Sequence, residues 1–363
     1  MRPARCIAAA LLVGAALGVV RAHEEHALAS PALLVLLSEA DSALVRGESE
    51  VARSAYERAA ALQHSADIEV GWVRAQMQAG DYRRALAFAA HTAGAHPDDS
   101  EGAALYAWLL FLGGQEAVAR QTLERALQRL PQDALLIDTR SRLQASPASD
   151  TTPWPFTPPA LGDRVAASAR GIGNALLLAD AQHALVPLSL LRGSGSLWVR
   201  NGLGRSARAE LLQRDEAQGL AVLRLARPLD APIALALAPR EAFSGSPGFV
   251  VGFAAPAGAQ PAWPQLSTGF LGRPAADAQT RRLGIEVPSG SAGAPVFDNA
   301  GRLVGLVLPA EANRPPGLSG VAALRGWVTA AAAAAAPAEP ATLPLDALYE
   351  QALRSSLQLL HAD

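Results

Sequence analysis

The 363-residue sequence predicts a multidomain α plus β protein: a helical array in the first half, an all-β domain after it, and a C-terminal helix. Three observations lead there. Two ungapped blocks of 34 residues with helical spacing repeat within residues 66–133. From about Leu161 the apolar runs shorten to four to six residues, broken by Gly, Pro, Asn and Asp. Helical spacing returns in Leu343–Leu360. The length itself suggests two domains.

Composition excludes several chemistries before any motif is read. All 31 basic residues are arginine, and there are 7 histidines and a single cysteine. Without lysine there is no Schiff base, no Ser–Lys dyad and no phosphate-binding P-loop. One cysteine excludes an intrachain disulfide and any cysteine-rich zinc or iron–sulfur site. No cofactor and no metal is expected. His23-Glu24-Glu25-His26 has its histidines three apart rather than four, and reads as a flexible stretch of the mature N-terminus.

Residues 1–22 read as a signal peptide. Met1–Arg5 carries two arginines, an apolar run follows from Cys6 to Val20, and Val20-Arg21-Ala22 suits a signal peptidase. That run is short of the roughly 20 residues a membrane span needs, with an uncleaved anchor as the alternative. Cys6 precedes the apolar core, so it is no lipoprotein cysteine, and cleavage leaves a cysteine-free chain. No later stretch is apolar enough to span a bilayer. The expected location is periplasmic or secreted, with no membrane insertion after cleavage.

Charge divides along the chain. Residues 23–149 hold 17 acidic and 11 basic groups, residues 150–330 hold 12 and 16, and the tail from 331 holds 4 and 1, for nets of −6, +4 and −3. Opposite signs favour docking of the halves, or are a modest surface imbalance. No basic run or interleaved aromatic patch appears, so no nucleic-acid partner is expected.

Residues 23–144 form the helical array. Ala66–Asp99 aligns without a gap on Ser100–Asp133. Gly80 matches Gly114 at the inter-helix turn, where positive φ is cheap only for glycine. Ala85 matches Ala119 where the helices cross closely, and Pro97 matches Pro131, which stops each unit. An earlier block, residues 33–65, places Gly47, Ala52, Tyr56 and Ala59 at the same offsets but lacks the closing proline. These blocks resemble tetratricopeptide (TPR) repeats, and with a cap over residues 134–144 they imply a TPR α-solenoid. Such an array offers a concave groove to a protein or peptide, or merely packs against the next domain. Residues 145–160, with five prolines among Ser and Thr, read as an extended linker.

Residues 161–336 read as a β-sandwich or barrel built from strands such as Ala175–Leu178, Leu197–Val199, Leu220–Leu225, Phe249–Phe253 and Leu303–Leu308. Val296–Val307 reads as a hairpin turning through Asp298-Asn299-Ala300-Gly301. Val287-Pro288-Ser289-Gly290-Ser291-Ala292-Gly293-Ala294-Pro295-Val296-Phe297 resembles the nucleophile loop of trypsin-like serine proteases, HtrA-type enzymes above all. Gly171–Leu178 resembles their first strands, Leu220–Leu225 the strand after the catalytic Asp, and Gly320–Leu324, with a helix from Arg325, the end of the domain. The resemblance implies a trypsin-like double β-barrel of two six-stranded barrels with a cleft between them.

The catalytic residues do not carry over. The nucleophile position falls on Ala292, the base position on Ser189 and the carboxylate position on Gly219. Nucleophile, base and orienting acid are all missing. Ser291 and Ser289 are the only substitute nucleophiles in the loop, each pointing elsewhere than Ala292. His183 is the one histidine expected in the barrels and reads as a turn residue. What survives is the loop backbone, whose Gly290 and Ala292 N–H groups fall on the oxyanion-hole positions.

Ala330–Ala336 is expected to extend the closing helix until Pro337. Residues 337–363 then give a linker and an amphipathic helix with Leu345, Leu348, Tyr349, Ala352, Leu353 and Leu357 on one face. The expected function is non-catalytic: a pseudoprotease binding a protein or peptide through the repeat groove, the cleft or both. The alternatives are an active trypsin-like serine endopeptidase with an unusual nucleophile, and an assembly scaffold. Nothing in the sequence sets an oligomeric state.

Overall fold

The computed structural model describes residues 30–144, 154–191, 195–230, 236–254, 260–274, 280–310, 316–328 and 342–363. The expected signal peptide, His23 and His26, the Ala330–Ala336 run and most of the proline-rich stretch lie outside the described residues.

Seven helices open the fold: α1 (Pro31–Arg46), α2 (Ser49–Leu62), α3 (Ala66–Ala79), α4 (Tyr82–Ala95), α5 (Ser100–Leu112), α6 (Glu116–Arg129) and α7 (Ala134–Gln144). Local chemistry sets their ends. Ser30, Asp99 and Asp133 accept from the backbone N–H groups of Leu33, Gly102 and Leu136, satisfying donors the first turn leaves unpaired. Gly47 and Gly80 cap α1 and α3 with φ of +78° and +80°. Ala52, Ala85 and Ala119 are fully buried where paired helices cross. Each helix packs on the next, and α1 also packs on α3, α3 on α5 and α5 on α7. This stacking is consistent with a repeat array.

The edge of the array formed by its turns docks on the β domain. A Cβ at Gly47 would lie 2.7 Å from Leu161, one at Gly80 2.9 Å from Arg354 Nε, and one at Gly114 2.7 Å from Leu266. The glycines therefore serve both the left-handed turn and the close approach.

The β domain comprises β1 (Leu161–Gly162), β2 (Arg170–Leu177), β3 (His183–Pro187), β4 (Ser196–Asn201), β5 (Arg205–Asp215), β6 (Leu220–Leu225), β7 (Pro247–Gly252), β8 (Gln265–Phe270), β9 (Thr280–Arg282), β10 (Pro295–Phe297), β11 (Leu303–Leu308) and β12 (Gly317–Gly320). Helix α8 (Val321–Val328), helix α9 (Leu345–Ala352) and strand β13 (Ser356–Ala362) follow. The first sheet runs β1-β5-β4-β13-β2-β3-β6, and pairing of β5 with β6 closes six of its strands into a barrel. The second runs β8-β7-β10-β11-β12-β9. Thus the two closed barrels expected from the resemblance are, among the described residues, one closed barrel and one half-barrel. The edges of the half-barrel meet at a bridge between Pro274 and Arg281 and at hydrogen bonds from Gly272 N to Arg282 O and from Arg282 N to Arg273 O.

Three expectations are corrected. The helix expected through Leu360 stops at Ala352, and β13 takes its place as a central strand between β2 and β4. Leu353 and Leu357 fit a four-residue helical step, but Leu357 and Leu359 also fit a two-residue strand step. Both leucines enter the barrel core fully buried, each burial being worth about 1.5–3 kcal/mol. Next, the described end of the expected linker, residues 154–160, is no loose hinge. Trp154 and Phe156 are 7% and 1% exposed, Trp154 stacks edge-on against Trp108 at 5.3 Å, and Arg142 lies 4.5 Å over its ring. Finally, the closing helix begins at Val321, inside the stretch expected to precede it.

One hydrophobic core joins the halves, running from Val70, Leu105 and Leu123 through Trp154 and Phe156 to Leu176, Val251 and Tyr349. Its centre is an edge-on pair, Tyr82 of α4 and Tyr349 of α9, with centroids 4.4 Å apart. Tyr82 donates to Leu109 O at 2.8 Å and Tyr349 to Pro264 O at 2.7 Å, so neither buried hydroxyl is orphaned.

Candidate functional site

The loop 287–295 enters the half-barrel through β10 and is clamped to the first barrel at β2. Gly290 and Gly293 adopt φ of +85° and +88°, so glycine is the residue that turns this backbone without strain. A Cβ at Gly293 would lie 1.9 Å from Asn174 O, which no side chain tolerates. Asn174, fully buried in β2, is the clamp. Its backbone N–H donates to Ala292 O at 2.7 Å. Its side-chain amide donates to Gly290 O at 2.8 Å and Phe253 O at 3.0 Å, while its Oδ1 accepts from Phe253 N at 2.6 Å. On the other side, Gly293 N donates to Val307 O at 2.7 Å.

The expected triad positions gather around this clamp. Ser189 lies in a single 3₁₀ turn, Leu188–Leu190, that leaves β3. Leu188 N donates to Gly219 O at 2.8 Å, and Pro187 pairs with Leu220, so the turn and Gly219 share one end of the β3–β6 ladder. The Cβ position of Gly173 is met by Leu190 at 2.6 Å and by Ala292 O at 2.9 Å, which brings the same turn and the loop together on β2. Ser189 and Gly219 are exposed and Ala292 is half-buried. Ala292 carries only a methyl group where the resemblance expects the nucleophile.

The substitute residues lie elsewhere or are already engaged. Ser291 is 4% exposed, and its hydroxyl donates to Pro288 O at 2.7 Å, directed into its own loop. Ser289 is exposed on the turn before Gly290. His183 opens β3, and its Nδ1 lies 2.7 Å from Asp180 Oδ2. Burial alone would raise the Asp180 carboxyl, but hydrogen bonds from the His183 ring and from the Gln182 and His183 backbones outweigh it and hold the carboxyl below its ordinary range. The pair resembles part of a triad, yet four residues of strand, about 13 Å at 3.3 Å per residue, separate His183 from Pro187.

Because β13 belongs to the barrel, the barrel also holds His361, which the sequence reading placed outside it. His361 pairs with Arg170, four residues of β2 before Asn174 and so about 13 Å from the clamp. It lines a cavity of about 290 Å³ with Ile172, Leu190, Leu191, Arg208 and Arg214. Among the described residues, the N–H groups of Gly290 and Ala292 donate to no protein acceptor. Sequence reasoning missed Asn174 as a site residue. Its signal was a lone amide inside the apolar run Ile172–Leu178, since a buried polar side chain must be paired.

A family model described as the trypsin-like peptidase domain matches residues 165–306. Among solved structures, the chain is similar to the Rv3671c protease from M. tuberculosis in its active form, at 17% identity over 48% of this chain and 83% of that one, with a TM-score of 0.35. It is also similar to the MamO protease domain from Magnetospirillum magneticum, at 15% identity over 44% of this chain and 94% of that one, with a TM-score of 0.36. No curated protein matches. The chain thus joins an N-terminal helical region to a β domain that the trypsin-like peptidase model matches over residues 165–306, and β13, from outside those residues, completes its six-stranded barrel.

Proposed function

We propose that the protein is an exported, non-catalytic protease homologue that binds a protein or peptide partner. The observation that carries this reading is the clamp at β2. The turn of Ser189, Gly219 and the loop of Ala292 meet there with the backbone geometry of a cleft in place, and none of the three side chains performs acyl transfer. The N–H groups of Gly290 and Ala292 suit a peptide carbonyl held without being cut. The helical array, read as TPR repeats, supplies a second peptide-binding groove in the same chain. A scaffold in which the β domain only braces the array is the second reading, favoured by the core the two share.

A fluorophosphonate probe on the purified mature protein tests the loss of catalysis. The expected result is no labelling, in wild type and in Ala292→Ser alike, because no base faces the introduced hydroxyl. Labelling of wild type that disappears in Ser291→Ala or Ser289→Ala would overturn the reading in favour of an active endopeptidase. Photo-crosslinking residues at Ser189 and at Leu34 of α1 then separate the binding readings. Crosslinks from Ser189 support the cleft, crosslinks confined to Leu34 support the array as the binding surface, and crosslinks from neither support the scaffold.

A further inference from the structure

We propose that the array holds a divalent transition-metal ion of the zinc type, bound by His64, Glu69, His91 and His96 where α2, α3 and α4 meet. Helices α3 and α4 run antiparallel, so the first turns of α3 lie beside the end of α4. Glu69 is the fourth residue of α3, His64 lies two residues before that helix, His91 is near the end of α4, and His96 caps it. Their side chains converge. His64 Nε2 is 2.7 Å from Glu69 Oε1, His91 Nε2 is 3.7 Å from the same oxygen, and His96 Nε2 is 3.5 Å from Glu69 Oε2. The ligand atoms of His64, Glu69 and His96 all lie within 4.8 Å of one another. The edge of a tetrahedron built on metal–ligand bonds of 2.0–2.1 Å is about 3.4 Å, so these separations bracket what a zinc ion draws together.

A second observation points independently to a cation. Glu69 is 2% exposed, and no other carboxylate among the described residues is buried. Its Oε2 has no hydrogen-bond partner, and neither has the equally buried Nε2 of His96. A buried carboxylate is costly without an opposite charge. Among the described residues its only ion-pair partners are these three histidines, and no arginine reaches it. A metal ion would satisfy both orphaned atoms at once and cancel the buried charge. Three imidazoles and one carboxylate are ligands that zinc, cobalt and nickel accept. Tied to both helices of the 66–99 unit and to the connection before it, the ion would staple neighbouring units of the array. The linear spacing, five residues from His64 to Glu69 and five from His91 to His96, matches no familiar metal motif, which is why the sequence expectation was no metal.

The test uses the full chain carrying His23→Ala and His26→Ala, so that the N-terminal pair cannot contribute. Metal is stripped with a chelator, and Co²⁺ is titrated while visible absorption is recorded. The expected result is one equivalent bound with the intense bands of a tetrahedral site, displaced stoichiometrically by Zn²⁺, and a rise in Tm when Zn²⁺ is added. His64→Ala and His96→Ala should each weaken binding by more than about a hundredfold and abolish the Tm rise, while His183→Ala leaves both unchanged. Should Glu69→Gln fail to fold, the exposed His64 carries the test. Absence of saturable binding, or binding equally tight in His64→Ala and His96→Ala, would overturn the proposal and leave the three histidines alone as the partners of Glu69.

Discussion

The helical array and the β domain are built on opposite principles. In the array each helix meets its neighbours in sequence, and caps and small crossing residues act within a unit. In the β domain the decisive contacts span the chain: β13 lies between β2 and β4, more than 150 residues before it, and Asn174 clamps a loop more than 110 residues after it. The array therefore tolerates local change, whereas the β domain depends on a few long-range keystones.

Removing residues 356–363 should break the comparison most severely. The barrel would lose its central strand, with two ladders and three buried leucines, and the β domain should not fold. Helices α1–α3, which own a separate core around Leu36, Tyr56 and Ile68, should keep their amide protection. Hydrogen exchange would show β2, β3 and β6 exchanging freely while α1 and α2 stay protected.

Tyr349→Ala comes next. It empties the fully buried centre of the joint between the halves, and large aromatic-to-alanine changes of this kind cost about 3–5 kcal/mol. Denaturant unfolding followed separately by helical circular dichroism and tryptophan fluorescence should separate into two transitions, one for each half.

Asn174→Ala acts on the clamp alone. It leaves the N–H and C=O of Phe253 and the C=O of Gly290 without their side-chain partner, for a loss of about 2–4 kcal/mol in urea unfolding. A change confined to the array, such as Ala119→Gly, should cost about 1 kcal/mol.

What was legible follows the same division. The 34-residue period, the turn glycines and the small crossing residues are local signals, and the helices follow them closely. The turn of the 287–295 loop was legible because the positive φ of Gly290 and Gly293 is a local demand, although Gly293 also answers to Asn174. β13 was not, because Leu353 and Leu357 satisfy a helical step until the empty place between β2 and β4 decides otherwise. The clamp and the histidine cluster around Glu69 were hidden for one reason: residues separated in sequence acquire a joint chemistry only when the chain folds.

A further effect concerns pH. Burial, with smaller contributions from neighbouring acidic groups and phenols, raises the Tyr56, Tyr82 and Tyr349 hydroxyls well above their ordinary range. The folded value exceeds the unfolded one, so stability is fully present below about pH 10 and is lost as pH rises beyond it. The loss should be about 1 kcal/mol per phenol half a unit above pH 10. Alkaline titration at the phenolate absorption band should show these three ionising together with unfolding, and Tyr82→Phe should remove one of them.

The position of β13 also imposes a timetable on synthesis. β6 is complete 130 residues before β13 begins, an interval of about 6–26 s at 5–20 residues per second. During that time the ribosome displays a barrel with a missing stave, its apolar interior open along the gap between β2 and β4. The helical array, made first and folding through short-range contacts, is the only finished surface nearby. The newborn barrel thus waits beside a neighbour whose docking edge will receive α9, and α9 delivers the final strand.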